Sequence, residues 1–510
     1  MDWIAHPDAW LSRLVLQRGL ALVYLMAFLS AVREFRVLAG ERGLTPAPAY
    51  LRAIPFRRAP SLFHLRYSDR LFDTVAWLGA ALAAAVVAGA ADAVPLWGSM
   101  ALWAALWLLY LSIVNIGQIW YAFGWESLLL EAGFLAVFLG NDDIAPPTVG
   151  LYLMVWLVFR VELGAGLIKW RGDSCWRKLT CLYHHHETQP MPGPLSWFFH
   201  HLPRRVHRVE TAANHVAQLV VPFLLFVPQP VATWAAAVIM VTQLWLVASG
   251  NFAWLNWLTM ILAVAAVDGA LAARHLPFLP SPPADRPDAP AWFTVTVVTA
   301  AALVAVLSYR PVRNLLSPAQ EMNRAYNSLH LVNTYGAFGS VTRQRHEVVL
   351  EGTNDDPAAG EAADWRAYEF HGKPGDVHRL PRQFAPFHLR LDWLMWFAAL
   401  TPYTPSPWLR RLTDRLLSGD PATLRLLRVN PFPTTPPRHI RARLYRYRFT
   451  TRRERRTTGA WWHRAPVGDH LPPTRPTLSE RSPGCGMVLM HGDGVNKPQF
   501  RPAPGRGAVW

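Results

Sequence analysis

The sequence predicts a polytopic α-helical membrane protein, with about nine transmembrane helices, followed by a β-rich extramembrane domain. Three observations lead to this fold class. Of the 510 residues, 52% are hydrophobic and only 16% are charged, which is too apolar for an ordinary soluble domain. The apolar residues fall in long runs up to about residue 310, and polar sequence with strand-like alternation follows. The 24 tryptophans suit a protein with aromatic belts at the membrane surfaces.

Nine segments are candidates for membrane crossings, because a helix that spans a bilayer needs about 20 predominantly apolar residues. Two of them are weak: the segment 119–139 carries Glu126 and Glu131, and the segment 212–228 is short and contains Pro222. A re-entrant segment is the alternative for both, because broken helices persist in membranes where protein surrounds them. The nine predicted crossings are 11–32, 71–91, 96–114, 119–139, 148–168, 212–228, 231–249, 251–272 and 291–309.

The predicted helical bundle covers residues 1–309 and contains two long arginine-rich loops, 33–70 and 170–211. With nine crossings, both loops and everything after residue 310 lie on one face of the membrane. The positive-inside rule would place this face in the cytoplasm, but the rule is weak for long loops and whole domains. On this argument the compartment stays open.

The β-rich domain is predicted over residues 310–465, and Tyr445, Tyr447 and Phe449 share one face of its last predicted strand. The tail 466–510 is rich in Pro, Gly and Arg, has few bulky side chains, and is predicted to be disordered. The predicted elements are strands at 347–351, 365–370 and 444–449, and amphipathic helices at 391–400 and 407–417.

Lys169 stands at the end of the fifth predicted crossing, and an ionisable residue at a membrane boundary is by default a functional-site candidate. One interpretation is a snorkelling anchor, paired with Glu162 seven residues earlier on the same helix face. The other interpretation is a chemical role. Arg160 has Glu126 or Glu131 of the neighbouring segment as a candidate partner, because buried charges require one. These residues are the predicted intramembrane ion pairs.

The histidine run 184–186 raises a metal hypothesis that the sequence does not support. Adjacent residues point in different directions, and no cysteine or carboxylate stands at zinc-like spacing from them. We therefore expect no metal and no other cofactor. His185 remains a candidate proton carrier beside Lys169, since histidine titrates near neutral pH.

Composition also excludes several classes of protein. The formal net charge of +16 comes without any nucleic-acid-binding motif, so we expect no nucleic-acid partner. Three cysteines are too few for a disulfide-rich scaffold. Cys175 and Cys181 are close enough in sequence to pair in an oxidising compartment, but we expect two buried free thiols. No Gly-x-Ser-x-Gly nucleophile elbow occurs, so the chain is not expected to be a lipase itself.

Two blocks of sequence carry more information than composition does. The first is GLIKWRGDSCWRKLTCLYHHHETQPMPGPLSWF at 166–198, and the second is LVNTYGAFGSVTRQRHEVVLEGT at 331–353. Over roughly residues 10–465 the chain resembles the lipase maturation factor family. Further motifs that carry this resemblance are KPGD at 373–376, FHLRLDWLMWFAAL at 387–400, NPFP at 430–433 and IRARLYRYRFT at 440–450.

The resemblance implies an integral-membrane maturation factor or chaperone that assists the folding and activation of secreted lipases, with lipase clients and membrane lipids as partners. In animals such proteins sit in the endoplasmic reticulum membrane with the globular domain in the lumen. The alanine- and arginine-rich composition suggests a bacterial source, for which we expect the plasma membrane and an extracytoplasmic domain.

The same resemblance points to a set of family-motif positions that are candidates for client binding. For the aromatic members, burial in the core or at the membrane interface is the alternative, because large exposed apolar patches are uncommon. The set is Trp176, Glu187, Asn333, Tyr335, Gly336, Arg343, Arg345, Glu347, Arg390, Asp392, Trp393 and Trp396.

A fainter similarity concerns the segment from Ala165 to Trp170, with Trp176 a little further on. It is similar to the segment that holds the catalytic lysine of vitamin K-dependent γ-carboxylases and their bacterial relatives, and Lys169 falls on the matching position. This resemblance implies the alternative function, a membrane enzyme in which Lys169 acts as a base toward a reduced quinone or another lipid-soluble substrate. Burial would favour the neutral amine that such a base needs.

Overall fold

The structure is a computed structural model that describes residues 9–275, 288–400 and 406–475. These residues form 20 α-helices, with short 3₁₀ helices between some of them, and one four-stranded sheet. The helices are α1 (Trp10–Ala39), α2 (Ala47–Ala53), α3 (Asp69–Ala88), α4 (Ala90–Ala93), α5 (Leu96–Ile116), α6 (Gly124–Ala136), α7 (Thr148–Arg171), α8 (Ser174–Arg177), α9 (Leu182–Thr188), α10 (Ser196–His200), α11 (Arg204–Leu219), α12 (Val221–Leu224), α13 (Val231–Ser249), α14 (Leu255–Ala263), α15 (Gly269–His275), α16 (Ala291–Leu316), α17 (Arg390–Leu400), α18 (Pro407–Leu417), α19 (Pro421–Leu424) and α20 (Arg452–Thr458). The strands are β1 (Arg345–Thr353), β2 (Arg366–Ala367), β3 (His439–Phe449) and β4 (Trp462–Thr474).

Six helices in the described part of the chain are long and apolar enough to cross a membrane: α1, α3, α5, α7, α13 and α16. They support a multi-pass integral membrane protein, and the sheet gives its C-terminal region a β-containing part. At this level the predicted fold class agrees with the structure. The prediction of nine crossings is not confirmed.

The other three predicted crossings form shorter helices. Segment 119–139 contains α6, whose 13 residues span only about 20 Å at 1.5 Å per residue, against a hydrocarbon core about 30 Å thick. Segment 251–272 contains the nine residues of α14 and a 3₁₀ turn. Segment 212–228 covers the end of the polar helix α11 and the four residues of α12. In segments 119–139 and 251–272 most apolar side chains are buried within the protein, whereas segment 212–228 leaves Val216, Val220 and Phe223 exposed.

The sheet is antiparallel with strand order β2-β1-β3-β4. Glu347 lies opposite Tyr445 across β1 and β3. Tyr447 and Phe449 pack with Tyr445 in a second aromatic core, so the three residues predicted to share a face do so. Strand β4 runs on to Thr474, past the predicted start of the disordered tail, and the remainder of that tail from residue 476 lies outside the described residues.

Two helices pack beside the sheet, and one of them differs from its prediction. Every residue of α17 from Arg390 to Ala399 is buried, so this helix has no solvent face and is not amphipathic. By contrast, α18 buries one side through Trp408, Leu412 and Leu416 and leaves the other side polar, as the sequence predicts. Helix α17 is thus a core element between the sheet and the membrane helices.

Two glycines, Gly164 in α7 and Gly172 just after it, let the backbone of the second sequence block lie directly on α7. A side chain at Gly164 would overlap the carbonyl oxygen of Tyr335, and one at Gly172 would overlap that of Gly339. The backbone N–H of Asp173 donates to this Gly339 oxygen at 2.8 Å. Glycine is used where two backbones approach this closely. The residues after 330 therefore return to the membrane bundle.

Candidate functional site

Lys169 lies in the last turn of α7 and is 4% exposed. Its Nζ donates a hydrogen bond of 2.7 Å to Oε1 of Gln218 and lies 5.4 Å from the centre of the Trp176 ring. The amide of Gln218 in turn donates to Oε2 of Glu162 at 3.2 Å. The snorkelling interpretation is therefore wrong, because the amine is buried. The predicted contact with Glu162 passes through an intervening amide.

This polar chain continues into the middle of the bundle. Nε2 of Gln243 donates to Oε1 of Glu162 at 2.5 Å, and Nδ2 of Asn256 donates to Oε1 of Gln243 at 2.6 Å. The contributing residues come from α7, α11, α13 and α14, and all are buried. Hydrogen-bonded amides are what a buried carboxylate needs when no cation touches it. The result is a connected polar path from Lys169 to Asn256.

A small cavity opens beside this path. Four members of the path line it together with Tyr335 and Gly336 of the second sequence block. Lys169 is set back behind Gln218 and does not line the cavity. A few polar groups in an apolar wall are typical of ligand pockets.

A buried carboxylate on α6 joins the second sequence block to the bundle. Arg160 forms an ion pair with Glu131, and both side chains are buried. The guanidinium also donates to the carbonyl oxygen of Asn333 at 2.8 Å. Oε2 of Glu131 accepts hydrogen bonds from the Asn333 side chain at 3.0 Å and from the Tyr335 hydroxyl at 2.7 Å. Of the two candidate partners for Arg160, the structure places Glu131 there.

The other carboxylate of α6 pairs with a residue that the sequence analysis did not connect to it. Arg390 donates to Oε1 of Glu126 at 2.8 Å, and both are fully buried. The Arg390 guanidinium also donates to the Ser30 hydroxyl, and its backbone N–H donates to Glu34 at 2.8 Å. Sequence reasoning missed this pair because 264 residues separate the two charges.

A third group of charges joins the loop 170–211 to the sheet. Glu347 lies 2.5 Å from Arg345 and 3.1 Å from Nζ of Lys373, and all three are buried. Arg345 also donates to the carbonyl oxygens of Glu187, at 3.0 Å, and of Gln189, at 2.5 Å. Burial lowers the pKa of Lys373 to about 8, although Glu347 acts in the opposite direction. The side chain of Arg345, at the start of β1, thus binds the main chain of the loop 170–211.

The first part of the loop is attached to the second sequence block. Nε1 of Trp176 donates to the carbonyl oxygen of Phe338 at 2.8 Å. Nη2 of Arg343 donates to both carboxylate oxygens of Asp173, at 2.9 and 3.0 Å. Because both partners are charged, these hydrogen bonds are stronger than those between neutral groups. The start of the loop is therefore bound to the second sequence block at two places.

Further along, the loop meets β3 and α17. The side chain of Glu187 accepts a hydrogen bond of 2.7 Å from the backbone N–H of Phe449. Nε1 of Trp396 donates to the carbonyl oxygen of Thr188 at 3.2 Å. Both contacts use polar atoms of predicted family-motif residues. They tie the loop to two different elements of the C-terminal region.

Asp392 and Trp393 complete the predicted set, and both are buried in α17. Oδ1 of Asp392 accepts a hydrogen bond from the backbone N–H of Gly372 at 2.5 Å. Burial raises the pKa of Asp392 to about 6, while this hydrogen bond and the charge of Lys373 lower it. The Trp393 ring packs 4.9 Å from that of Trp125.

Ten of the 12 predicted client-binding or family-motif residues are buried, so they do not form a contact surface in this structure. The exceptions are Arg343, which is exposed, and Glu187, which is partly exposed. The buried members connect the loop, the second sequence block and the sheet. Their side chains hold the loop, the second sequence block and the sheet together. A client would contact other, exposed residues.

Cys175 and Cys181 form a disulfide in the loop, and the expectation of two free thiols is therefore wrong. Spacing alone could not decide between these states, because pairing depends on the redox compartment. The bond closes the turn that carries Trp176.

His185 is buried and its ring lies 4.6 Å from that of Phe338. Burial lowers the pKa of His185 to about 3, and the charge of Lys169 lowers it further. A side chain that is neutral throughout the physiological range does not suit the predicted exchange of protons near neutral pH.

Two groups of potential metal donors occur among the described residues. Asp173 with the two cysteines is one of them, but those sulfurs are joined to each other. The other is His186 with His207 and Glu210 of α11. The sequence analysis missed this group because it sought partners only near the histidine run. A histidine three residues before a glutamate on the polar helix α11 was the available signal.

Comparison with known proteins gives a single family. The model described as lipase maturation factor transmembrane domain matches residues 11–274, and the lipase maturation factor C-terminal domain model matches residues 331–472. Lipase maturation factor 1 of Mus musculus is 42% identical, over 91% of this chain and 87% of that protein. The Homo sapiens protein is also 42% identical, over 91% and 88%. Lipase maturation factor 2 of Homo sapiens is 28% identical, over 91% and 82%. No solved structure matches.

The buried charges around Glu347 give the first testable prediction. Glu347→Gln leaves Arg345 and Lys373 buried without a counter-charge, and we expect it to lower the free energy of unfolding by about 3–5 kcal/mol. The matched control is Glu361→Gln, which removes a 72% exposed partner of Arg443 and should cost less than about 1 kcal/mol. Denaturant titration of the purified protein in detergent measures both. Equal losses would contradict the structural role of Glu347.

Proposed function

The chain belongs to the lipase maturation factor family, and from this premise we propose that it holds folding lipases at a membrane surface until they reach their active form. Its function is that of a lipase maturation factor. The observation that carries the rest of the proposal is the junction of the loop 170–211 with the C-terminal region. Residues from both matched parts of the chain build one unit there, and the membrane helices anchor it.

We place this unit on the side of the membrane where secreted proteins fold. The disulfide between Cys175 and Cys181 supports this side, because disulfides persist in oxidising compartments and are rare in the cytosol. The arginine content of the long loops favours the opposite side, but loops of this length are weak evidence under the positive-inside rule. A covalent bond that needs an oxidising compartment is the stronger argument.

Labelling of introduced thiols tests the side. Arg453→Cys lies on the exposed helix α20, and Ala93→Cys lies in the short turn between α3 and α5. In sealed vesicles whose outer surface is cytoplasmic, a membrane-impermeant maleimide should label Ala93→Cys and leave Arg453→Cys unlabelled until detergent is added. The unsubstituted protein gives the background. Labelling of Arg453→Cys in intact vesicles would contradict the assignment.

The client-binding surface that we propose is the basic helix α20 with the aromatic residues beneath it. Arg452, Arg453 and Arg456 are exposed on this seven-residue helix. Its first turn is fixed by a capping box between Thr451 and Glu454, each side chain bonding the backbone N–H of the other residue. The arginines are therefore held in a defined arrangement and face solvent.

The same helix joins both matched parts of the chain. The guanidinium carbon of Arg455 lies 3.5 Å from the centre of the Trp461 ring and 5.5 Å from that of Trp197. Trp197 belongs to the loop 170–211 and donates to the carbonyl oxygen of Thr450 at 2.9 Å. Both tryptophans are buried, so they support the helix from below while the exposed arginines form the surface. Arginine is enriched at protein contact sites. These arginines would recognise an acidic patch on a partly folded lipase.

Charge reversal tests this surface. In the triple variant Arg452→Glu, Arg453→Glu and Arg456→Glu, we expect client binding to weaken about tenfold, since exposed charge pairs contribute roughly 0.5 kcal/mol each. The secreted client lipase should fall in activity per molecule while its secreted amount changes less. Co-purification and lipase assays in cells that lack the endogenous factor measure both effects.

The matched control makes the same change in charge at a distant place: Arg410→Glu, Arg425→Glu and Arg438→Glu, all exposed in the C-terminal region. This control should bind and activate the lipase normally. Equal loss in both variants would show that only net charge matters. If the α20 variant detaches from anionic vesicles but still activates lipase, the helix binds lipid headgroups and the proposed client surface is wrong.

Chemistry at Lys169 is a second candidate function, because the polar path connects its buried amine to a cavity in the bundle. In this alternative Lys169 acts as a base toward a reduced quinone or another lipid-soluble substrate. The position of Gln218 between the amine and the cavity counts against direct contact. Glu162 is the ionisable group of the path that faces the cavity.

Two substitutions of Lys169 separate the candidates. Lys169→Met removes the amine and keeps an unbranched buried side chain, whereas Lys169→Arg keeps the charge and a donor for Gln218. If the residue is structural, we expect Met to lower the thermal unfolding temperature and Arg to restore part of it, with lipase activation following stability. If the residue is a base, both variants should stay folded and both should abolish lipase activation. Methionine has no amine, and arginine remains protonated.

A further inference from the structure

A cluster of three metal-ligand side chains lies outside the polar path and outside the proposed client surface. His186 projects from α9, while His207 and Glu210 stand three residues apart on α11 and so on one helix face. Nδ1 of His207 lies 3.4 Å from Oε2 of Glu210, and Nε2 of His186 lies 3.9 Å from Oε1. One donor atom from each residue can be chosen so that all three lie within 4.8 Å of one another.

His186 lacks the hydrogen bonds that a buried polar group normally has. It is 1% exposed, and neither of its ring nitrogens has a hydrogen-bond partner among the described residues. His207 is 2% exposed; its Nδ1 contacts Glu210, while its Nε2 has no such partner. Most buried polar side-chain atoms in native proteins are hydrogen-bonded, so each exception requires an explanation. An ion bound beside Glu210 would give a partner to a nitrogen of His186.

The geometry is close to that of a zinc site. A tetrahedral zinc ion with bonds of about 2.0–2.2 Å holds its ligand atoms roughly 3.3–3.6 Å apart. The two measured pairs lie at 3.4 and 3.9 Å, so small side-chain rotations bring the donors into range. Two histidines and one carboxylate, with the fourth position left to water, are a recurrent zinc ligand set.

A neighbouring side chain orients the carboxylate. Nε1 of Trp245, at the end of α13, donates to Oε1 of Glu210 at 2.7 Å. Hydrogen bonds from outside the ligand set are a regular feature of metal sites, because they fix ligand orientation. Through this contact an ion would link α9 and α11 to the membrane-spanning helix α13.

We propose that His186, His207 and Glu210 bind one zinc ion that holds α9 against α11. The site adds a metal to a region where the sequence predicts none. The site does not depend on the proposed client surface, because no residue of α20 is among its three ligands.

The test measures metal directly on the full chain without a histidine tag. The protein is purified in detergent, stripped with a chelator, loaded with zinc and passed through a desalting column before atomic emission spectroscopy. We expect about one zinc per chain and a higher thermal unfolding temperature than in the stripped protein. Less than about 0.1 zinc per chain in the loaded wild-type protein would overturn the proposal.

Three variants assign the ligands. His186→Ala and Glu210→Gln should each lose the zinc and the thermal shift. His184→Ala, in the same histidine run but partly exposed, should keep both. Glu210→Gln keeps the side-chain shape and an oxygen for Trp245, so it decides the matter if His186→Ala does not fold. Retention of zinc by Glu210→Gln, or equal loss in His184→Ala, would place the metal elsewhere and overturn the assignment.

Discussion

The rest of the structure depends on the neutralisation of two carboxylates on one short helix inside the membrane bundle. Helix α6 is buried except for Phe134, and it carries both Glu126 and Glu131. An unpaired charge in such a place is very unfavourable, so each carboxylate requires a cation and further donors. Arg160 comes from the neighbouring helix α7, whereas Arg390 comes from beyond the last membrane helix. The bundle therefore needs the C-terminal region to be electrostatically complete.

This requirement explains why so many motif residues are buried. A family signature invites the expectation of a surface that binds a partner. Here the signature residues Asn333, Tyr335 and Arg390 bind the bundle, and Arg345 binds the loop. These contacts fix the position of the C-terminal region, which carries the exposed basic helix α20, relative to the membrane helices.

The sequence predicts some of these features and misses others for physical reasons. Helical crossings, the strands around Glu347 and the strand that bears Tyr445 follow from hydrophobic periodicity, which is a local property. The family also follows from contiguous motifs. The Glu126–Arg390 pair does not, because no local pattern reports a contact across 264 residues. The burial of α17 on all sides is invisible for the same reason.

Two features of the site are hidden from the sequence because of helix α11. Gln218, the partner of Lys169, stands on this helix, whose residues fall partly in the predicted loop 170–211 and partly in the predicted crossing 212–228. His207 and Glu210, which lie beside His186, stand on the same helix. Its first half is polar and gives no hydropathy signal.

Gly164 in α7 and Gly172 just after it have a consequence for assembly. They leave a groove along a membrane helix that the segment 331–340 fills, yet ribosomes complete α7 more than 150 residues before they reach that segment. During this interval Glu131 has Arg160 but neither Asn333 nor Tyr335, and the groove faces lipid or another helix. Membrane insertion and completion of the bundle are thus separate events in time. A chain that stops before residue 330 would be inserted but unfinished, and so a substrate for the quality control of membrane proteins.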